Sequence, residues 1–477
     1  MKTIEFTLTL IYLIVCIGIG IWANRRVKGS TDDYWVAGRQ IGIFTNSWAM
    51  MAALASGGSV LGVMGLAYAN GIPYTFSMFA GAAAGFPLAA VLVAKQLRNL
   101  QIYTVTDFFR FRYKNKAIEA LVPIIIVLAM GTYIIAQMKA AGVTAVYLLG
   151  IPYPTAITIT AVVFILYVSI GGMWAVTLTD IIQGILMVSM VLILAIVLFF
   201  NFGGVTSVLT QAVDISPNFG AIAALSPASY LGAFVVWFVA ACCTPHLVMR
   251  VFTAKNARAA RYSLNWAVVI YAFMIVFGVL AIASAGHIVL PDLQDPDTLF
   301  LKLIEMYLPR VIGGFAVAAV MAAVMSTTDA LLLAAGSAIA HDIYAKFINP
   351  NASQKTLVRV GLISNIVIGV VALLFAFNPP KLLTMFYTAA VGLLGSSIFV
   401  PVVMGIWWKK STTQGALWSI IIGTVSYLYL TWFSSMPALT PILVSLPLAF
   451  LVHVIASLLT QPVETQVIDR LQELHME

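Results

Sequence analysis

The stretch AVAAVMAAVMSTTDALLLAAGSAIAH, Ala316–His341, sets the fold class. It is long and apolar enough to cross a bilayer. Yet Ser326, Thr327, Thr328 and Asp329 stand in a row at its centre. Hydrocarbon cannot hydrate those oxygens, and an intramembrane carboxylate costs about 2.5–3.5 kcal/mol even on the lenient insertion scales. Two adjacent hydroxyls, with the carbonyl of Ala323 one turn earlier, could supply oxygen ligands to a small hard cation. The competing reading is a polar knot that braces one helix against another, a common use of Ser and Thr in membrane bundles.

Working outward, the chain has 477 residues, 62% hydrophobic and 9% charged, with mean hydropathy +1.02. Soluble domains carry roughly a quarter charged residues, so this is a polytopic membrane protein. Apolar runs of spanning length recur at 5–24, 41–70, 73–94, 117–148, 154–173, 175–200, 227–248, 262–289, 311–340, 356–377, 382–407, 414–433 and 439–459. This predicts an all-α chain of about 13 transmembrane helices. The first run is too long for a signal-peptide core, and its basic pair Arg25–Arg26 follows it, so it reads as a first span. Gly171–Gly172 is expected to act as a hinge with almost no loop. The cysteines Cys16, Cys242 and Cys243 all sit in apolar segments, which implies no disulfide framework.

The +8 net charge is a matter of topology. One set of loops holds Arg25, Arg26, Lys28 and Arg39, then Lys95, Arg98, Arg110, Arg112, Lys114 and Lys116. It continues with Arg250, Lys255, Arg258 and Arg261, then Lys346, Lys355 and Arg359, then Lys409, Lys410 and Arg470. The alternate loops hold only Lys2, Lys302, Arg310 and Lys381. The positive-inside rule makes the first set cytoplasmic, with the N-terminus outside and the C-terminus inside a cell membrane. A nucleic-acid patch is not needed to explain the charge. Thr104–Lys116, TVTDFFRFRYKNK, suits a short interfacial helix. The acidic loop with Asp292, Asp295 and Asp297 is expected to be solvated.

Three ionisable residues remain deep in the spans: Lys139, Asp180 and Asp329. Lys139 reads either as a structural partner of Asp180 or as a counter-charge for a substrate carboxylate. Asp180 could ligate a cation or relay a proton. His246 and His453 have no second ligand at metal spacing and read as packing residues. There is no His-Glu-x-x-His and no Walker loop, so nothing points to an enzyme.

Interrupted helices at matching places in two halves point to a transporter site. The second span is interrupted at Ala55–Ser59, with Gly57 and Gly58. The seventh, five spans later, is disturbed at AACCTP, Ala240–Pro245. Two five-helix halves would then run 41–200 and 227–407. Residues 1–40 would form an added helix and loop, 201–226 an outer loop, and 408–477 two further helices and a short tail.

At this point the chain resembles the sodium:solute symporter family. The resemblance lies in YWVAGRQIG (Tyr34–Gly42), YVSIGGMWAVTLTDIIQG (Tyr167–Gly184), PHLVMR (Pro245–Arg250), AAVMSTTDALLLAAGSAIAHDIY (Ala322–Tyr344) and GIWWKKSTTQGAL (Gly405–Leu417). It implies two inverted five-helix repeats of the LeuT-like kind plus flanking helices, with Na+ driving uptake of a small organic solute by alternating access. The family's principal sodium site carries over to Ala52, Ala55, Ala323, Ser326 and Thr327. A second cation or proton site carries over to Asp180 and Asp329, the latter standing where several relatives have Ser. The substrate region carries over to Ser59, Lys139 and Trp237. Some proline carriers of the family place an aspartate in the broken helix, where this chain has Leu54. The run of the chain is similar to the sodium/pantothenate and monocarboxylate branches, which implies a small anionic solute. Rival readings are another solute such as an amino acid, proton coupling, a channel and a membrane sensor module.

Overall fold

A computed structural model describes residues 2–24, 30–168, 172–378 and 382–476. Among the described residues the regular structure is helical, apart from an isolated bridge between Ile41 and Ala254. That pattern follows from the solvent: in hydrocarbon every backbone N–H and C=O needs an internal partner, and a helix supplies it within one segment. Among the described residues eleven helices are long and apolar enough to span, and the bent pair Ile43–Leu54 and Gly58–Asn70 makes a twelfth. The remaining expected span, 154–173, is the shorter helix Tyr153–Val168. Residues 169–171, with Gly171 of the proposed hinge, lie outside the described residues, as do Arg25, Arg26, Lys28 and Lys381, while Gly172 and Met173, expected at the end of that span, open the helix Gly172–Asn201.

Both expected interruptions are present. The first pair bends by 59°. Ala55, at φ −79° and ψ 79°, leaves the helical region, and the chain re-enters through a π-widened turn at Gly58–Gly62. The second break falls at Thr244, extended at ψ 114°, between helices Pro227–Cys243 and Pro245–Thr253. The bridge joins the two broken elements at one end: Ile41 N–H donates to Thr253 O at 3.1 Å, and Lys255 N–H donates to Ile41 O at 2.9 Å.

The Arg310–Ser337 helix runs through the middle of the bundle. Every residue from Ala316 to Ser337 is buried. It packs against helices Gly172–Asn201, Lys116–Leu149 and Thr3–Asn24 and against the first broken helix. Its small residues allow that: association in a membrane relies on close backbone approach rather than on expulsion of water. Gly57 shows the constraint, since a Cβ there would sit 2.5 Å from Val324 Cγ2 and 2.9 Å from Ala140 Cβ.

Three sequence expectations are corrected here. Arg250, counted with the loop charges, is fully buried within the Pro245–Thr253 helix. Arg112 is likewise fully buried, although the Val105–Tyr113 helix that carries it begins as an interfacial segment should, with a Thr104–Asp107 capping box. Asp297, expected in water, is fully buried in a short turn at Pro296–Thr298. Arg250 and Arg112 are buried from within helices and Asp297 from a turn, by packing that no hydropathy window records. The three cysteines are free and buried, and His246 and His453 lie in packed surroundings.

Candidate functional site

The break at Ala55–Gly57 leaves the last carbonyls of the Ile43–Leu54 helix without helical partners, and the mid-section of the Arg310–Ser337 helix faces them. Ser326 Oγ donates to Ala52 O at 3.0 Å, with Ala323 O also at 3.2 Å. Thr327 Oγ1 donates to Ala53 O at 3.3 Å. Four of the five residues read as the sodium site are thus joined by hydrogen bonds or by sequence adjacency. Ala55 stands at the break itself, three residues beyond Ala52, with its N–H donating to Met51 O at 2.7 Å. Thr328 turns away, its hydroxyl donating back to Val324 O at 2.7 Å. All of these residues are buried. The donor set is carbonyl and hydroxyl oxygen, which suits a hard cation. No protein cation is bonded to these oxygens among the described residues.

Asp180 and Asp329 lie on the two helices that pack together here, Gly172–Asn201 and Arg310–Ser337. The Asp180 carboxylate is held by the Arg250 guanidinium, a fully buried ion pair. Arg250 also donates to Thr177 Oγ1 at 3.0 Å. Asp180 Oδ1 has no hydrogen-bond partner among the described residues. Asp329 is buried one turn beyond the Ser326 hydroxyl.

Lys139 does not pair with Asp180. Its Nζ lies 2.7 Å from Asp297 Oδ2, with the two side chains 6% and 0% exposed. The same oxygen accepts from Leu383 N–H at 3.2 Å, so Asp297 ties the long Lys116–Leu149 helix to the start of helix Leu383–Leu394. Burial raises the Asp297 carboxyl above the usual range, and the Lys139 charge opposes that rise.

Ser59 closes the break from the other side. Its hydroxyl lies 3.1 Å from Tyr271 Oη and 3.3 Å from Leu54 O, and its N–H donates to Ser56 Oγ at 3.1 Å. Beside it, Tyr133 and Tyr387 stack at 5.0 Å, Trp237 stands edge-on to Tyr387 at 6.0 Å, and His246 edge-on to Tyr133 at 5.7 Å. A Cβ on Gly58 would strike the Tyr387 ring at 2.2 Å, so only glycine lets the broken helix lie against this aromatic wall. Gln137 Oε1 accepts from Gly57 N–H at 3.1 Å. Gln137 Nε2, Trp237 Nε1 and His246 Nδ1 are buried with no hydrogen-bond partner among the described residues. Unfilled buried polar groups are costly, and here they gather around one break. Of the residues gathered at this break, sequence reading named Ser59 and Trp237 for the substrate region and His246 for packing, and did not name Tyr133, Gln137 or Tyr387. The available signal was the i, i+4 spacing of Tyr133 and Gln137 on the face that also carries Ala140.

The model of the sodium:solute symporter family matches residues 34–423. The chain belongs to that family. As a sodium:solute symporter it is a multi-pass membrane carrier with Na+ as its coupling ion. It is similar to the osmoregulated proline transporter OpuE of Bacillus subtilis, at 28% identity over 442 residues, covering 89% of this chain and 88% of the relative. Among solved structures, a substrate-bound, outward-open Na+-coupled sialic acid symporter superposes with TM-score 0.82 at 19% identity, covering 97% of this symporter and 99% of the other. MhsT in complex with L-phenylalanine gives TM-score 0.58 at 14% identity, covering 88% and 98%. These likenesses establish the fold as LeuT-like: two inverted five-helix repeats with flanking helices.

Proposed function

We propose that this symporter binds Na+ between the carbonyls of Ala52, Ala55 and Ala323 and the hydroxyls of Ser326 and Thr327, and imports a small carboxylate-bearing solute. The single observation that carries the reading is the pair of hydroxyl-to-carbonyl contacts from Ser326 to Ala52 and from Thr327 to Ala53, across 274 residues of chain. Each hydroxyl needs only to rotate its proton away to present a lone pair. Sodium then ties the first broken helix to the Arg310–Ser337 helix. A ligand shifts a conformational equilibrium only through its different affinity for the two states, and a site split between two moving elements provides that difference. The repeats are taken as 41–200 and 227–407, with the Lys/Arg-rich face cytoplasmic and the N-terminus outside a cell membrane.

The solute's place is beside the break, against Tyr133, Trp237 and Tyr387, where Gln137 and Trp237 have donors to offer. Ser59 shapes the same wall. Lys139 is already paired with Asp297, so we assign it to holding the outer turn closed rather than to meeting the solute. Pantothenate and monocarboxylates fit donors of this kind. The likeness to a proline transporter supports an amino acid as the second reading, although Leu54 provides no carboxylate for a substrate ammonium. Asp180 Oδ1 and Asp329 form the proposed second cation or proton region.

The test is uptake into proteoliposomes of a panel of labelled carboxylates and amino acids, with imposed sodium or proton gradients. We expect saturable, concentrative uptake of one carboxylate class that follows sodium. Uptake that follows pH alone, or flux that neither saturates nor concentrates, overturns the reading.

A further inference from the structure

The tail after Thr460 folds into a helix, Thr465–Met476, that docks on the Lys/Arg-rich face. Val467, Leu471 and Leu474 are its buried face, at the i, i+4, i+7 spacing of an amphipathic helix. His475 fastens its end: Nδ1 lies 2.8 Å from Gln96 Nε2, Nε2 lies 3.2 Å from Ile406 O, and the His475 carbonyl accepts from Lys95 Nζ at 2.6 Å. Under this helix is a cavity of about 430 Å³, lined among others by Arg112, Trp407, Trp408, Lys409, Gln472 and His475.

Arg112 is the unusual member. It is fully buried, and its bonded partners are carbonyls: Nε donates to Gly405 O at 2.8 Å and Nη2 to Ser411 O at 2.9 Å. Nη1 is buried with no hydrogen-bond partner, and no carboxylate pairs with the group among the described residues. A buried charge is ordinarily paired. Exposed Lys409 adds a second cation at the rim, and Trp407, 48% exposed, donates its indole N–H to Leu92 O at 2.8 Å. Trp at a helix end beside Lys is the pattern of the membrane–water interface. The helix's acids do not neutralise the site: Asp469 and Glu473 are both exposed, and Glu473 pairs with Arg470 at 2.7 Å.

We propose that this cavity binds a phosphate-bearing anion, with Arg112 as its fixed cation, Lys409 as its second and the C-terminal helix as its roof. A phosphate oxygen satisfies the unused Nη1 donor, and the guanidinium is the group best shaped for it. The anion could be a phospholipid headgroup at the bilayer edge or a soluble phosphate. Either would hold the tail helix against Gly405 and so brace the end of the helix that closes the second repeat.

The test uses purified full-length protein in a phosphate-free maltoside detergent, titrated with inorganic phosphate, with phosphatidylglycerol, or with a phosphate-free galactolipid, while the thermal midpoint is read. Binding to the native state raises that midpoint saturably. We expect phosphatidylglycerol to do so and the galactolipid not to, and K409Q to weaken the apparent affinity by about fivefold. R112K keeps the charge but loses the fork, and should abolish saturation. Should R112K not fold, K409Q carries the test alone. If inorganic phosphate saturates the response and the lipid adds nothing, the site stands and its ligand is soluble. If neither phosphate nor phosphatidylglycerol gives a saturable shift, or K409Q responds as the native protein does, the proposal fails.

Discussion

Three polar sites described above lie deep in this bundle, and they are built in two opposite ways. Where Ser326 and Thr327 meet the Ala52 and Ala53 carbonyls, all the groups are neutral and each contact is a single hydrogen bond of 3.0–3.3 Å. Where Asp180 meets Arg250, and Lys139 meets Asp297, full charges are paired within the protein. The first arrangement can exchange its protons' orientation for a cation at modest cost. The second is already neutralised, and opening it leaves a buried charge. A carrier needs both: a weakly held oxygen cage that can fill and empty, and fixed pairs that keep its helices in register around the cage.

The contrast can be broken experimentally. The largest expected effect is on the neutral region: Ser326→Ala with Thr327→Ala should lower sodium-driven uptake about a hundredfold, from two lost oxygen ligands, with membrane abundance unchanged. Retention of the full sodium response would place the ion elsewhere. Next, Arg250→Ala should cost about 3–5 kcal/mol of stability by stranding the Asp180 charge, read as a fall in the thermal midpoint. Asp180→Ala in the same chain should recover most of it. If the double variant is no better than the single, Arg250 acts other than as a counter-charge. Lys139→Ala should cost about 1.5–3 kcal/mol, less because Asp297 keeps its bond from Leu383 N–H. Asp297→Asn should offset it. A KM increase for anionic solutes alone, with no such offset, would instead return Lys139 to the solute. The smallest expected change is Trp237→Phe, which removes one donor and should raise the solute KM about three- to tenfold without altering sodium affinity.

The contact between the Arg310–Ser337 helix and the first break, where we propose the ion, was in part legible beforehand. Ser326 and Thr327 stand out because hydroxyls beside a carboxylate in mid-span have no solvent to satisfy them, and Gly57–Gly58 marks where the facing helix stops. Both are local signals. The partners of the buried charges were not legible. Asp297 sits among loop prolines and two other acids, as a hydrated residue would, and Arg250 ends an apolar run where a loop cation is expected. Arg112 lies in a basic, aromatic segment that describes an interfacial helix equally well. Composition places these residues near the membrane surface. Only the tertiary packing buries them inside the bundle.

The chain's order of apolar runs, breaks and basic loops therefore determined by itself that it is a helical membrane bundle, where two of its helices fail, and which hydroxyls lie at the failure, while its carrier function was implied by its resemblance to the sodium:solute symporters. Those features follow from a few residues' reaction to hydrocarbon, which acts on each segment separately. Which charge neutralises which, which aromatic rings stand beside the first break, and that a guanidinium ends with an unused donor beneath the tail were decided by the tertiary structure. Ion pairing and ring contact depend on distances between segments far apart in sequence, and no local preference specifies such distances.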